Sequence, residues 1–236
     1  MKNIKLFEEA SQYEASKDGF EYPTVSYVKE TDMVHYLMKT ELYEWVDLGL
    51  PSGLKWAAWN VGATKPEEFG LYFAWGETQG YTGITDTKQF KWSDYTLCDG
   101  TSSNMLKYNA TDGLTTLEAS DDAAYATDNT CRMPTSGECA ELTANTTSEW
   151  VEDYNGTGVA GRIFTSNVNG NSIFVPAAGY CGDGSVDRVG QSGIFWSSSL
   201  YSSGVPYACR LYFVSGFVVV GDYDRCYGLP VRAVKE

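Results

Sequence analysis

At 236 residues the chain has room for one large domain, or a medium domain with an extension. A net charge of −14 at pH 7 argues against nucleic acid or an anionic membrane as partner, because both call for clustered Lys and Arg. The 7 Trp, 17 Tyr and 24 Gly point to many short strands and tight turns: aromatic residues suit half-buried pleated surfaces, and glycine supplies the positive φ that turns require.

Residues 1–44 differ from the rest. Leu6 to Lys17 has the composition of a short acidic helix, and Pro23-Thr-Val-Ser-Tyr-Val-Lys-Glu-Thr reads as an extended strand. This segment has too few large apolar residues for a core of its own. It is expected to serve attachment or oligomerisation by docking to a neighbouring subunit or larger assembly, or else to form a partly ordered tail. The N-terminus carries no long apolar run, and no later stretch approaches the ~20 apolar residues of a transmembrane helix. Neither a cleaved signal nor membrane insertion is expected.

From Trp45 onward, short apolar runs are punctuated by glycine. Leu48-Gly-Leu-Pro-Ser-Gly-Leu-Lys-Trp is a turn-rich entry into a strand, and Leu71-Tyr-Phe-Ala-Trp is a candidate buried strand. Residues 80–130 are polar and read as long loops. At Pro134-Thr-Ser-Gly-Glu a helix is expected to start, with Thr135 as cap and Glu138 completing a capping box. Ile173-Phe-Val-Pro, Ile194-Phe-Trp, Leu211-Tyr-Phe-Val and Phe217 to Val220 read as further strands. Alternation along Leu211 to Val214 puts Leu211 and Phe213 on one face, Tyr212 and Val214 on the other. If the first face is core, the second exposes an apolar and aromatic patch of the kind that marks interaction sites.

Catalytic and metal-binding patterns are sparse. The single histidine, His35, sits in Met33-Val-His-Tyr and reads as a strand residue. Ser197 to Ser199 have no accompanying base motif, and no glycine-rich phosphate loop links a strand to a helix. Six cysteines, Cys98, Cys131, Cys139, Cys181, Cys209 and Cys226, form no close ligand pair, so no zinc site is expected. Reduced, mostly buried thiols are expected instead. Asp183-Gly-Ser-Val-Asp187 and Asp222-Tyr-Asp224 lack the calcium-loop spacing and read as solvated acids. The sequons at Asn109, Asn145 and Asn155 carry little weight without an export signal. No cofactor and no enzymatic activity are expected.

Eight motifs occur in order: Val46-Asp-Leu-Gly-Leu-Pro-Ser-Gly-Leu-Lys-Trp-Ala, Asn60-Val-Gly-Ala, Tyr72-Phe-Ala-Trp-Gly-Glu, Ser120-Asp-Asp-Ala-Ala, Arg132-Met-Pro-Thr, Phe174-Val-Pro-Ala-Ala-Gly-Tyr, Trp196-Ser-Ser-Ser and Val231-Arg-Ala-Val. Over about residues 45–236 this set resembles the Fibrobacter succinogenes major paralogous domains of gut Bacteroidetes, including Bacteroides, and their phages. That family includes the variable proteins of diversity-generating retroelements. The resemblance implies an α+β fold, a C-type-lectin-like domain of the formylglycine-generating-enzyme type over 45–236, with short strands, long loops and few helices. It also implies a variable region at about 194–229 in which contact residues are interleaved with scaffold.

Scaffold-like residues there are Trp196 to Ser199, Ala208, Leu211, Phe213, Ser215, Gly216, Val218, Arg225, Gly228, Val231 and Arg232. The candidate ligand contacts are Ile194, Tyr201, Ser203, Val205, Tyr207, Arg210, Tyr212, Val214, Phe217, Val219, Val220, Asp222, Tyr223, Asp224, Cys226 and Tyr227. From Leu200 to Leu229 there is no Lys, Glu, Gln, Met or Trp. Those residues are out of reach of an Asn codon mutated only at its adenines. By resemblance, the function is binding of a bacterial surface protein or glycan for host adhesion, by a homotrimer on a phage tail. The alternatives are a bacterial cell-surface or pilus-tip adhesin and a formylglycine-generating-like enzyme, whose catalytic thiol pair is not carried over onto Cys209 and Cys226 because both fall inside the variable stretch.

Overall fold

The computed structural model describes residues 42–236; the helix and strand expected before Trp45, and His35, lie outside the described residues. The first elements are a hairpin of β1 (Trp45–Asp47) and β2 (Lys55–Ala57). Its connection turns at Pro51-Ser52-Gly53, where Gly53 has a φ of 73° and its N–H donates to the Leu50 carbonyl at 2.9 Å. A long irregular passage follows. The five residues Leu71 to Trp75, expected as a strand, make only single bridges, Tyr72 to Tyr81 and Phe73 to Leu229. Four successive side chains, Tyr72 to Trp75, are buried there, which a regular strand with one wet face does not allow. Tyr72 Oη donates to the Ala178 carbonyl at 2.7 Å and Trp75 Nε1 to the Ser197 carbonyl at 2.8 Å.

Two short helices come next. The first, α1 (Ala123–Thr127), is capped by Asp122, whose carboxylate accepts from the N–H groups of Ala124 and Tyr125. The second, α2 (Ser136–Asn145), begins with the expected capping box: Glu138 N donates to Thr135 Oγ1 at 3.2 Å, and Thr135 N to Glu138 Oε2 at 2.7 Å. Arg132 fixes that glutamate with two further bonds, of 2.8 and 2.7 Å.

The remaining strands are β3 (Thr146–Val151), β4 (Gly161–Ser166), β5 (Ser172–Pro176), β6 (Tyr180–Gly182), β7 (Ser185–Asp187), β8 (Gly193–Leu200), β9 (Tyr207–Phe213), β10 (Val218–Asp224) and β11 (Val234–Lys235). They make four antiparallel sheets, in the orders β1-β2-β11, β3-β4-β5, β6-β7 and β10-β9-β8. The expected α+β, C-type-lectin-like class is therefore corrected. Small antiparallel sheets dominate the described residues, and α-helix is confined to two short segments, with three single turns of 3-10 helix in addition. The physical reason lies in the pattern: apolar runs are short and broken by glycine, and the longer of the two helices spans only 10 residues. No helix among the described residues is long and apolar enough to cross a membrane.

Three apolar clusters hold these sheets. One joins Tyr43, Ala57 and Val61 to Trp75, Trp196, Ala208 and Val231. A second joins Leu48 and Trp56 to Phe164, Phe195, Leu211, Phe213 and Val234. The third gathers Tyr72, Phe90, Tyr95, Cys181 and Cys226. The sheet of β8, β9 and β10 lies between the first two, so each of its faces is core near β8 and opens outward toward β10.

Candidate functional site

The ribbon of β9 and β10 is paired without interruption from Phe213↔Val218 to Tyr207↔Asp224. Alternation sorts its side chains. Leu211 and Phe213 are fully buried, as expected, while Tyr212 and Val214 are partly exposed. The face shared with Trp196 and Ala208 carries Arg210 and Tyr212 on β9, and Val219, Gly221 and Tyr223 on β10. The opposite face carries Cys209, Val220 and Asp222 and borders a shallow cleft of about 450 Å³, whose far wall is Ser136, Gly137 and Ala140 of α2. The interleaved contact residues thus divide between two surfaces.

The Arg210 surface is aromatic. Tyr212 and Phe217 have ring centroids 5.9 Å apart; Tyr180 lies 5.3 Å from Tyr223 and 5.8 Å from Tyr227, and Tyr223 is 5.1 Å from Tyr227. Tyr180, on β6, closes the Phe174-Val-Pro-Ala-Ala-Gly-Tyr motif but is not among the expected contacts, because it stands well before the variable stretch and enters the surface only through packing. The Arg210 guanidinium lies 4.7 Å from the Tyr212 ring centroid and 5.6 Å from that of Tyr223. Its Nε and Nη1 are enclosed without a hydrogen-bond partner, and no acceptor among the described residues serves the group. Burial lowers its pKa. Burial also raises the Tyr223 pKa, helped by the neighbouring Tyr180 hydroxyl, so this aromatic group stays neutral. Tyr227 Oη donates to Asp183 Oδ2 at 3.0 Å. Asp224 is pushed upward by burial and then by the charges of Asp183 and Asp222.

Two other arginines hold the ends of the ribbon. Arg162 Nη2 donates to the carbonyls of Val214 at 2.7 Å and Ser215 at 2.9 Å, gripping the turn. Fully buried Arg225 reaches the carbonyls of Lys107, Tyr108 and Val205 and the Tyr95 hydroxyl, at 3.0–3.1 Å. It also packs 4.8 Å from the Trp75 ring centroid.

Two expected contacts are corrected. Ile194 is 3% exposed and Cys226 0%; the first points with Trp196 into one core cluster and the second into another. Ser203, Tyr207, Phe217 and Val219 are exposed, while Tyr201, Val205, Arg210, Tyr212, Val214, Val220, Asp222, Tyr223, Asp224 and Tyr227 are partly buried. Of the scaffold-like residues, Trp196, Ala208, Leu211, Phe213, Arg225, Val231 and Arg232 are buried, whereas Ser215 and Gly216 form the exposed turn.

Cys209 and Cys226 are poor nucleophiles here: burial raises both thiol pKa values, and the thiolate is the reactive form. No group of three or more His, Cys, Asp or Glu side chains among the described residues could hold a metal ion. Residues 120–234 match a family described as a domain of unknown function (DUF8237). No curated protein and no solved structure matches the chain.

Proposed function

We propose that the chain is a binding protein whose contact surface is the outward side of the β9–β10 ribbon with Tyr180 and Tyr227, and that it serves host adhesion on a phage tail. One observation carries this reading: Arg210, Tyr212, Phe217, Tyr223 and Tyr227 stand together at the surface, while Leu211, Phe213 and Arg225 between them are buried. Tyrosine offers a large amphipathic contact at low entropy cost, and the Arg210 guanidinium, whose Nη2 is not enclosed, has no acceptor among the described residues and can donate to a ligand from that atom. The resemblance of residues 45–236 to Fibrobacter succinogenes major paralogous domains supports retroelement diversification of this surface. Its target is then a bacterial surface protein or glycan. In a homotrimer, avidity would strengthen weak single contacts.

The test is the double variant Tyr212→Ala/Tyr223→Ala, assayed for adhesion to host cells and for thermal stability. Adhesion is expected to fall at least tenfold while the protein still unfolds cooperatively; undiminished adhesion would refute the reading. Diversification has its own check in the neighbouring DNA. An adenine-rich near-copy of the codons for about 194–234 is expected beside a reverse-transcriptase gene.

A further inference from the structure

Taking that binding surface as given, we infer that the outer edge of β10 receives an extended segment of a partner protein as an added strand, and that this segment places a carboxylate on Arg210. β10 is the outermost strand of its sheet. At the other margin, the edge of β8 is covered: the N–H groups of Trp196, Ser198 and Leu200 donate to the carbonyls of Pro230, Pro134 and Thr115 at 2.8–3.1 Å. No described residue bridges to the outer side of β10. The turn bond from Val214 N to the Phe217 carbonyl, 3.1 Å, sets the phase of the ladder. Alternation from that bond turns the N–H and C=O groups of Val218, Val220 and Asp222 outward. Natural edges of this length usually carry charged residues, a proline or a bulge against unwanted pairing. Val218-Val-Val-Gly-Asp-Tyr-Asp224 has no proline and an unbroken register, and its only charges, Asp222 and Asp224, stand at its C-terminal end, leaving Val218 to Gly221 uncharged.

Arg210 supplies the selectivity. Its guanidinium reaches from β9 across Gly221: a Cβ built there would lie 3.6 Å from Nη1 and 4.0 Å from Nη2. The missing side chain leaves a gap between Val219 and Tyr223 on the same face, at the open edge. A residue opposite Gly221 on an added strand would have its Cβ about 5 Å away, within reach of Arg210 for a carboxylate. Two tyrosine rings and the charge of Asp222, which makes no hydrogen bond to it, compensate the buried cation only in part, and a desolvated guanidinium without an acceptor favours an anion. On the other face, the next side chain of the added strand would meet the cleft beside Val220, Gly137 and Ala140. A second copy of β10 paired antiparallel would offer Val219, Gly221 or Tyr223 opposite Gly221, none of them acidic. A glycan has no row of amides to match the edge.

The experiment selects random displayed linear peptides on the full chain, then measures synthetic versions of the enriched sequences. Enrichment of alternating β-branched peptides with one Asp or Glu is expected. Changing that acid to Gln, or changing Arg210→Gln in the protein, should weaken binding at least tenfold, about 1.4 kcal/mol. N-methylating alternate peptide residues should abolish binding in one phase and spare it in the other, a control that leaves the protein untouched. Val220→Pro removes an outward N–H and should have the same effect as the damaging phase. The proposal is overturned if no acidic peptide is enriched, if both N-methylation phases bind, or if Arg210-dependent binding is found for polygalacturonate instead. A dimer that Val220→Pro dissolves would also overturn it, by assigning the edge to a second copy. If host adhesion survives Arg210→Gln and Val220→Pro but not Tyr212→Ala/Tyr223→Ala, the edge strand is refuted and the binding function stands.

Discussion

Arg232 and Arg210 carry the same group in opposite circumstances. Arg232 is fully buried, and its guanidinium donates to Asn60 Oδ1, the Ala57 carbonyl and the Phe174 carbonyl at 2.9–3.0 Å. Replacing it strands three acceptors in the core. Arg232→Met is expected to cost about 3 kcal/mol or more in a urea melt. Arg210 has no acceptor to strand, so Arg210→Met should cost less than about 1 kcal/mol and read out in binding. A loss at Arg210 equal to that at Arg232 would show that the difference in partners does not matter. The sequence could name both as arginines of the C-terminal stretch. It could not supply the partners of Arg232, which come from β2, β5 and the chain just after β2, more than 50 residues away. Asp224 offers a pH test of the same surface. Its folded pKa is raised by burial and by Asp183 and Asp222. Above that pKa both folded and unfolded chains are ionised and the folded state bears the penalty; below the unfolded value neither is charged and the penalty vanishes. Asp224→Asn should therefore raise the melting temperature at pH 7, by about 1–3 °C. The gain should shrink to nothing as pH falls toward 3.

At the scale of elements, β8 and β9 pack through a contact that only glycine permits. A Cβ at Gly193 would stand 1.9 Å from the ring of Phe213, which is fully buried and walled by Phe164 and Trp150. Overpacking of this kind forces side chains off their rotamers. Gly193→Ala is expected to cost about 3 kcal/mol in denaturant unfolding, whereas Gly216→Ala, in open space at the turn, should stay within about 0.5 kcal/mol. Equal effects would mean that the two strands approach less closely than described. Elements with a local signature were legible: the Thr135 capping box and the alternation of Leu211 and Phe213 are both chemistry of near neighbours. Ile194 and Cys226 were misplaced because alternation says which residues share a face, and only the tertiary packing says which face is covered. Leu71 to Trp75 misled for a related reason. Four of its residues, Tyr72 to Trp75, are buried in succession, so an apolar run became irregular chain.

Across the whole molecule, residues far apart in sequence close the structure. β11 pairs Val234 with Trp56, and two of the core clusters contain residues from both ends of the described chain. Strands of two and three residues carry that closure, too short for any periodicity to announce. The cysteines report on it. All six are free, five are buried, and Cys209 alone is partly exposed, at the cleft. Burial raises the thiol pKa of Cys131 and Cys181 to about 12, which suppresses the reactive thiolate. The native protein should therefore react slowly with a thiol reagent, and at Cys209 first. Cys131 lies in the first cluster, Cys139 in the second, and Cys98, Cys181 and Cys226 in the third. If the clusters unfold as one unit, the five buried thiols become reactive at a single denaturant concentration, the same one at which tryptophan fluorescence changes. Separate midpoints, with Cys98, Cys181 and Cys226 released before Cys139, would instead divide the molecule into units that open independently. A reductant should leave the midpoint where it is, because no disulfide constrains the unfolded chain.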